Sequence, residues 1–133
     1  MRALFYPLFW LTIGILLIVA VIALTLWPEP IGAIPSSMSD KTGHVIAYFT
    51  LMSWFAGLYP RQRHILWAVF FVLLGVGLEW LQSFVEIRMT ELLDAGANAL
   101  GAAIGLVLAR LGLDQWCVWF ERFTPRGRNA AHG

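Results

Sequence analysis

The sequence predicts an all-α membrane protein: a polytopic bundle of four transmembrane helices, followed by a short C-terminal interfacial helix. The chain of 133 residues is 59% hydrophobic and only 13% charged, whereas about a quarter of the residues of a soluble domain are charged. Four apolar segments are each about long enough to cross a bilayer. Seven Trp and nine Phe are typical of chains whose rings lie at membrane–water interfaces. The net charge of +1 gives no indication of nucleic-acid binding.

The first predicted span covers residues 4–27 and carries no charge from Ala3 to Trp27. It is too long for the apolar part of a cleaved signal peptide, and no small-residue cleavage site follows it. We therefore expect an uncleaved helix that begins at Pro7, because the first helical turn does not use the N–H that proline lacks. The prolines of "WPEPIGAIP" end it.

Three further spans are predicted at residues 41–59, 65–84 and 92–111, which completes a transmembrane domain of residues 1–112. Pro60 closes the second span, and "RQRH" forms a short loop before the third. A short helix within residues 113–123, capped by Asp114, is too short to cross and is rich in Trp and Phe, so it should lie in the interface. Residues 124–133 are predicted to be a disordered basic tail. The single cysteine, Cys117, is interpreted as a small apolar filler.

The basic residues predict the orientation, because cytoplasmic ends of membrane spans are enriched in Lys and Arg. With four spans, only Lys41 and Arg88 fall on the outer side, and the other basic residues fall on the inner side: Arg2, Arg61, Arg63, Arg110, Arg122, Arg126 and Arg128. The acidic residues divide the other way, with only Asp114 and Glu121 inside. We therefore expect a bacterial cytoplasmic (inner) membrane protein with both termini in the cytoplasm.

Polar residues lie at helical spacing at the outer end of three spans, so alternating topology brings them to one membrane leaflet. Because ionisable side chains in a span normally face the bundle interior or a cavity, we predict one outward-facing pocket. Its predicted ligand-binding residues are Asp40, Lys41, His44, Tyr48, Glu79, Gln82, Arg88, Asp94 and Asn98.

Each of these residues also has a structural interpretation that the sequence leaves open. Asp40 could cap the second helix, and Lys41 could extend to the headgroups. His44 could simply bond between helices and Tyr48 could pack at the interface. Asp94 and Asn98 could hold helices together, Arg88 could contact a headgroup only, and Glu86 and Glu91 are interpreted as solvated loop charges.

Small residues in the fourth span form a stripe at helical spacing, within the sequence "NALGAAIG". Gly101, Ala102 and Gly105 are predicted helix-packing residues, because small side chains let two helix backbones approach closely. Gly75 in the third span is a weaker case of the same kind.

The segments "DKTGHVIAYF", "GLEWLQ", a following Arg and "LLDAGANALGAAIG" resemble, in this order, the pattern of VanZ-like membrane proteins. The resemblance covers Asp40 to about Leu108. Where the family often has a Pro-Gly-Arg turn, this chain has "SFVEIRMTELLD". The resemblance implies a multi-span protein of the bacterial cytoplasmic membrane, in a family named after a member linked to teicoplanin resistance.

Three functions are compatible with such a pocket. In the first, it binds or handles an envelope lipid or lipid-linked glycan, with Lys41, His44 and Arg88 on phosphate and the other polar groups on sugar or amine. In the second, the chain is an enzyme in which His44 or Glu79 acts as a general base. In the third, it is an assembly partner of an envelope protein or a homo-oligomer. His44, Glu79 and Asp94 could together bind a metal, but no local spacing demands it, so we predict no metal and no cofactor.

Overall fold

A computed structural model describes residues 1–26, 37–85 and 92–124, and these ranges are helical with no strand. The five helices are α1 (Pro7–Thr25), α2 (Ser37–Leu58), α3 (His64–Val85), α4 (Leu92–Arg110) and α5 (Trp116–Glu121). Two 3-10 turns, Arg61–Arg63 and Leu113–Gln115, precede α3 and α5. The predictions for Glu86, Arg88, Glu91 and most of the C-terminal tail lie outside the described residues.

The helix bounds follow the sequence closely, with one correction at the start of α2. Helix α1 begins at Pro7 in its first position, as expected. Helix α2 begins at Ser37 rather than at residue 41, because the residues directly before Lys41 include no glycine or proline to stop the helix. Asp40 therefore lies inside α2, so the interpretation of Asp40 as its cap is wrong.

Three helical segments of the described chain are long and apolar enough to cross a membrane: Pro7–Thr25, Arg61–Gln82 and Leu93–Arg110. Helix α2 has the length, with 22 residues, but its first turns carry Asp40, Lys41 and His44 and make it less apolar. By length and composition, the first, third and fourth predicted spans are candidate membrane helices, and the second is not among them.

Helix α2 is the centre of the bundle, because it packs against α1, α3 and α4. Its residues Tyr48, Met52 and Phe55, spaced three and four apart, are buried, and they pack against Phe71 of α3 and Ala102 of α4. Large apolar side chains on the outer faces of α1, α3 and α4 are exposed. A central helix contacts protein more than lipid, so it tolerates polar residues that an outer helix does not.

The small-residue stripe lies where α4 crosses α2 most closely. A Cβ atom on Gly101 would overlap the backbone carbonyl of Val45 and lie 3.0 Å from the nitrogen of Phe49. A Cβ atom on Gly105 would lie 2.8 Å from the Cβ of Met52. Ala102, between them on the helix, is 1% exposed. Glycine at these positions lets the two backbones touch, which shapes the bundle around the candidate site.

The opposite end of the bundle is closed by a group that we call the terminal junction: Arg2, Arg61, Asp114 and Glu121. The side chain of Asp114 is fully buried; it accepts two hydrogen bonds from Arg61, at 3.0 and 3.1 Å, and another from Arg2. The N-cap of α5 is Gln115, without a side-chain cap bond. The prediction that Asp114 caps the last helix is therefore wrong, because two guanidinium groups bind its carboxylate instead.

Glu121 of the same junction caps α1 from the far end of the chain. Its carboxylate accepts hydrogen bonds from the backbone N–H groups of Phe5, at 2.7 Å, and Tyr6, at 3.0 Å. It also accepts the indole N–H of Trp10 at 2.8 Å. A carboxylate at a helix N-terminus bonds otherwise unpaired N–H groups and complements the helix dipole. Helix α5, which the sequence predicts to lie in the interface, is thus joined to the start of α1 through Glu121.

Candidate functional site

The candidate site is a group of polar side chains from three helices, which we call the polar cluster: Lys41, His44, Glu79, Asp94 and Asn98. Lys41 and His44 lie about one turn apart on α2, and Asp94 and Asn98 lie about one turn apart on α4. Helix α3 runs antiparallel to both and brings Glu79 to the same level. The cluster occupies the end of the bundle opposite the terminal junction, since Lys41 and Leu58 of α2 are about 26 Å apart along the helix.

Lys41 and Asp94 form an ion pair between the first turns of α2 and α4, with 3.0 Å between Nζ and Oδ1. The Lys41 side chain is 26% exposed and the Asp94 side chain 14%. The ion pair therefore lies at the mouth of the cluster, where another charged group could reach it.

His44 lies deeper and contacts both neighbouring helices. Its Nδ1 is 2.9 Å from Oδ1 of Asn98 and 4.0 Å from Oε1 of Glu79. With the Asn98 oxygen as acceptor, the shared proton lies on Nδ1 of the imidazole. Asn98 can reach this position because Gly75 of α3 has no side chain; a Cβ there would lie 2.9 Å from Nδ2 of Asn98. The packing role predicted for Gly75 is thus a role in seating this amide.

Tyr48 borders the cluster from the bundle interior, one turn beyond His44. It is 1% exposed, and its buried hydroxyl has no hydrogen-bond partner within the described ranges. Tyr48 follows His44 by one turn on α2, and the His44 ring lies 4.0 Å from Oε1 of Glu79. A buried hydroxyl without a partner costs free energy, and one at the border of a polar cluster is well placed to bond a bound molecule or ion.

The remaining predicted site residues lie apart from the polar cluster or cannot be placed. Gln82 donates a hydrogen bond from its amide to the carbonyl of Thr25, so it ties α3 to the end of α1. The position of Asp40 in α2 is described but its side chain is not. Arg88 falls between the described ranges.

A groove with a volume of about 360 Å³ opens beside Lys41, between α2 and α4. Apart from Lys41, its lining is small or apolar, with Thr42, Val45, Leu93, Gly96, Ala97 and Leu100. The sequence indicated none of these as site residues. The available signal was weak: Gly96 and Leu100 lie one turn apart on α4, which is also the spacing of ordinary packing residues.

The composition of the cluster and the groove defines what this end of the bundle can bind. The cluster presents two carboxylates, one ammonium group, an imidazole and an amide, and the adjoining groove is apolar and open. An amphipathic molecule with a polar head matches both parts. The chain matches no family model, and no curated protein or solved structure matches it.

Proposed function

We propose that this chain is a VanZ-like integral membrane protein that binds an envelope lipid or a lipid-linked glycan in an outward-facing pocket. The observation that carries the proposal is the position of Lys41, which belongs both to the buried polar cluster and to the wall of the apolar groove. The headgroup would lie against the cluster, and one acyl or prenyl chain would lie in the groove.

The chemistry of the two parts supports an amphipathic ligand. The ammonium group of Lys41 is a donor for phosphate, and it is partly exposed at the groove. The carboxylates of Glu79 and Asp94 can accept hydrogen bonds from a head that also offers an amine or sugar hydroxyls. An apolar groove with a few convergent polar groups is the usual form of a small-molecule site.

The proposed topology has four spans and cytoplasmic termini. Helix α2, at 22 residues, is about 33 Å long, which is enough to cross the hydrocarbon core. Lys41 contacts Asp94 of α4, and His44 contacts Asn98 of α4 and Glu79 of α3. Arg2 and Arg61 lie at the terminal junction, opposite the polar cluster, which agrees with a cytoplasmic junction and an outward-facing cluster.

A reporter fused to the C-terminus tests this topology. A green fluorescent protein there should fluoresce, and an alkaline phosphatase there should be inactive, because fluorescence requires the cytoplasm and phosphatase activity the periplasm. The reverse result would overturn the proposed orientation without bearing on the ligand.

Lipid binding is tested by extracting the protein with its native lipids and measuring co-purifying lipid by mass spectrometry. Lys41→Met keeps the length of the side chain and removes its charge, which should weaken headgroup binding by roughly 10- to 100-fold, as for loss of a charge-assisted hydrogen bond. Gly96→Leu should fill the groove and displace the chain, since a Cβ there meets nothing within 4 Å and the helix accepts leucine.

Two matched controls separate these effects from general damage. Gly77→Leu adds the same side chain at another open helical position, and Arg110→Met removes an exposed cation at the far end of α4. Both should retain the lipid. If Lys41→Met and Gly96→Leu also retain it in full, the proposed function is wrong. If Glu79→Gln binds lipid normally but abolishes its turnover, the enzyme hypothesis replaces it.

A further inference from the structure

We propose that His44, Glu79 and Asp94 form a binding site for one divalent transition-metal ion, such as Zn²⁺ or Mn²⁺. One ligand atom from each residue lies within 4.8 Å of the other two. The sequence favoured no metal, because the three residues are far apart along the chain and show no local ligand spacing. The fold supplies the proximity that the spacing does not.

The distances are close to those of a formed site. Zn²⁺ binds imidazole nitrogen and carboxylate oxygen at about 2.0–2.2 Å, so the ligand atoms of a tetrahedral site are about 3.4 Å apart. The His44 ring comes within 4.0 Å of Oε1 of Glu79, measured from Nδ1. The three ligand atoms lie within 4.8 Å of one another, so the side chains would have to close by up to about 1.4 Å to reach the tetrahedral spacing. One imidazole with two carboxylates is a donor set that suits Zn²⁺ and Mn²⁺.

The surroundings carry two features of metal sites. Oδ1 of Asn98 is 2.9 Å from Nδ1 of His44. An ion bound through Nε2 would leave this hydrogen bond in place, as a metal-ligating histidine usually donates its other ring N–H to a second partner. The Tyr48 hydroxyl is buried one turn beyond His44 and has no hydrogen-bond partner in the described part of the chain. A water molecule on the ion would donate a hydrogen bond to this hydroxyl.

The carboxylates are placed to hold such an ion. Glu79 is 7% exposed, and Asp94 forms an ion pair with Lys41 at 3.0 Å. An ion held by Asp94 would release Lys41 towards the phosphate of the proposed ligand.

The test is direct titration of the purified full-length chain with Zn²⁺ and with Mn²⁺, after treatment with a chelator, by calorimetry and by the shift in thermal unfolding. We expect one ion per chain and a higher unfolding temperature. Glu79→Gln and Asp94→Asn should each weaken binding by more than about 100-fold, and Asn98→Ala by about 10-fold, as second-shell changes commonly do. His132→Ala, in the tail, is the control for adventitious binding and should change nothing.

Lys41→Met separates this inference from lipid binding. It should lose the lipid but bind the ion at least as tightly, because it removes a competing cation from Asp94. Equal ion binding by wild type and by folded Glu79→Gln and Asp94→Asn variants would overturn the metal site, as would the absence of any binding. Retention of lipid by Lys41→Met would instead count against the proposed function.

Discussion

Glu121 is predicted to be the most costly single carboxylate to remove, although it lies far from the polar cluster. It is 2% exposed and accepts three hydrogen bonds, from Phe5, Tyr6 and Trp10. A hydrogen bond to a charged group contributes about 1.5–3 kcal/mol. Glu121→Gln retains one oxygen, which can still accept hydrogen bonds from Tyr6 and Trp10, but its NH₂ group then faces the N–H of Phe5. We expect the free energy of unfolding to fall by about 2–3 kcal/mol.

Glu121→Ala removes all three bonds and leaves three donors without an acceptor at a semi-buried site. Simple addition gives about 4.5–9 kcal/mol, but neighbouring bonds are not additive, so we expect about 4–6 kcal/mol. The free energy of unfolding can be measured by titrating the purified chain in mixed micelles with a denaturing detergent. The tryptophan fluorescence follows the transition, because Trp10 packs against Trp54 and Trp116.

A double-mutant cycle with Trp10→Phe isolates one of the three bonds, because phenylalanine lacks the indole N–H. The coupling energy between Glu121→Ala and Trp10→Phe should be about 1.5–3 kcal/mol. Arg122→Gln, an exposed neighbour, is the matched control and should cost less than about 0.5 kcal/mol. A coupling energy below about 0.5 kcal/mol would show that the reasoning from bond geometry fails here.

Three further predictions concern packing, pH and thiol chemistry. Gly101→Val should lower the free energy of unfolding by about 1–3 kcal/mol, measured by the same detergent titration. The control Gly43→Val, in open space, should lower it clearly less. Equal losses in the two variants would contradict the close crossing of α2 and α4. Burial raises the pKa of Asp114, but the guanidinium groups of Arg61 and Arg2 together lower it by more than burial raises it. The pKa of Asp114 therefore lies below its ordinary value. Its stabilisation is therefore complete above pH ~4 and is lost as the pH falls through the folded-state pKa, so a pH series should show this acid-dependent loss in wild type and not in Asp114→Asn. Burial raises the pKa of the Cys117 thiol to about 12, so iodoacetamide at pH ~8 should label it only after unfolding; rapid labelling of the folded chain would refute its burial.

Much of the helical frame is predictable because its signals are local. Pro7 can begin α1, Pro60 ends the second helix, and long uncharged runs give the spans. The convergence of the polar cluster also follows from local information. Successive helices that run antiparallel bring the start of α2, the end of α3 and the start of α4 to the same end of the bundle. The alternative interpretation of Asp40 as a cap is wrong because the sequence before Asp40 does not mark where the helix starts.

The terminal junction could not be predicted, because its contacts join residues more than 50 positions apart and leave no periodic signal. Asp114 lies two residues after Gly112 and two before an apolar run, so it has the appearance of a cap, although Arg2 and Arg61 bind it. Gln82 has helical spacing from Glu79, yet it turns towards Thr25. The sequence places such a residue on a helix, but packing decides which neighbour its side chain meets.

The terminal junction also sets an order of events during biosynthesis. Trp10 and Glu121 are separated by 111 residues, so at about 5–20 residues per second the first helix waits roughly 6–22 s for its cap to be synthesised. During that time the first amide groups of α1 lack the carboxylate that caps them in the folded chain. Synthesis of α5 therefore completes α1, and a nascent chain that stops before Glu121 keeps an uncapped helix end.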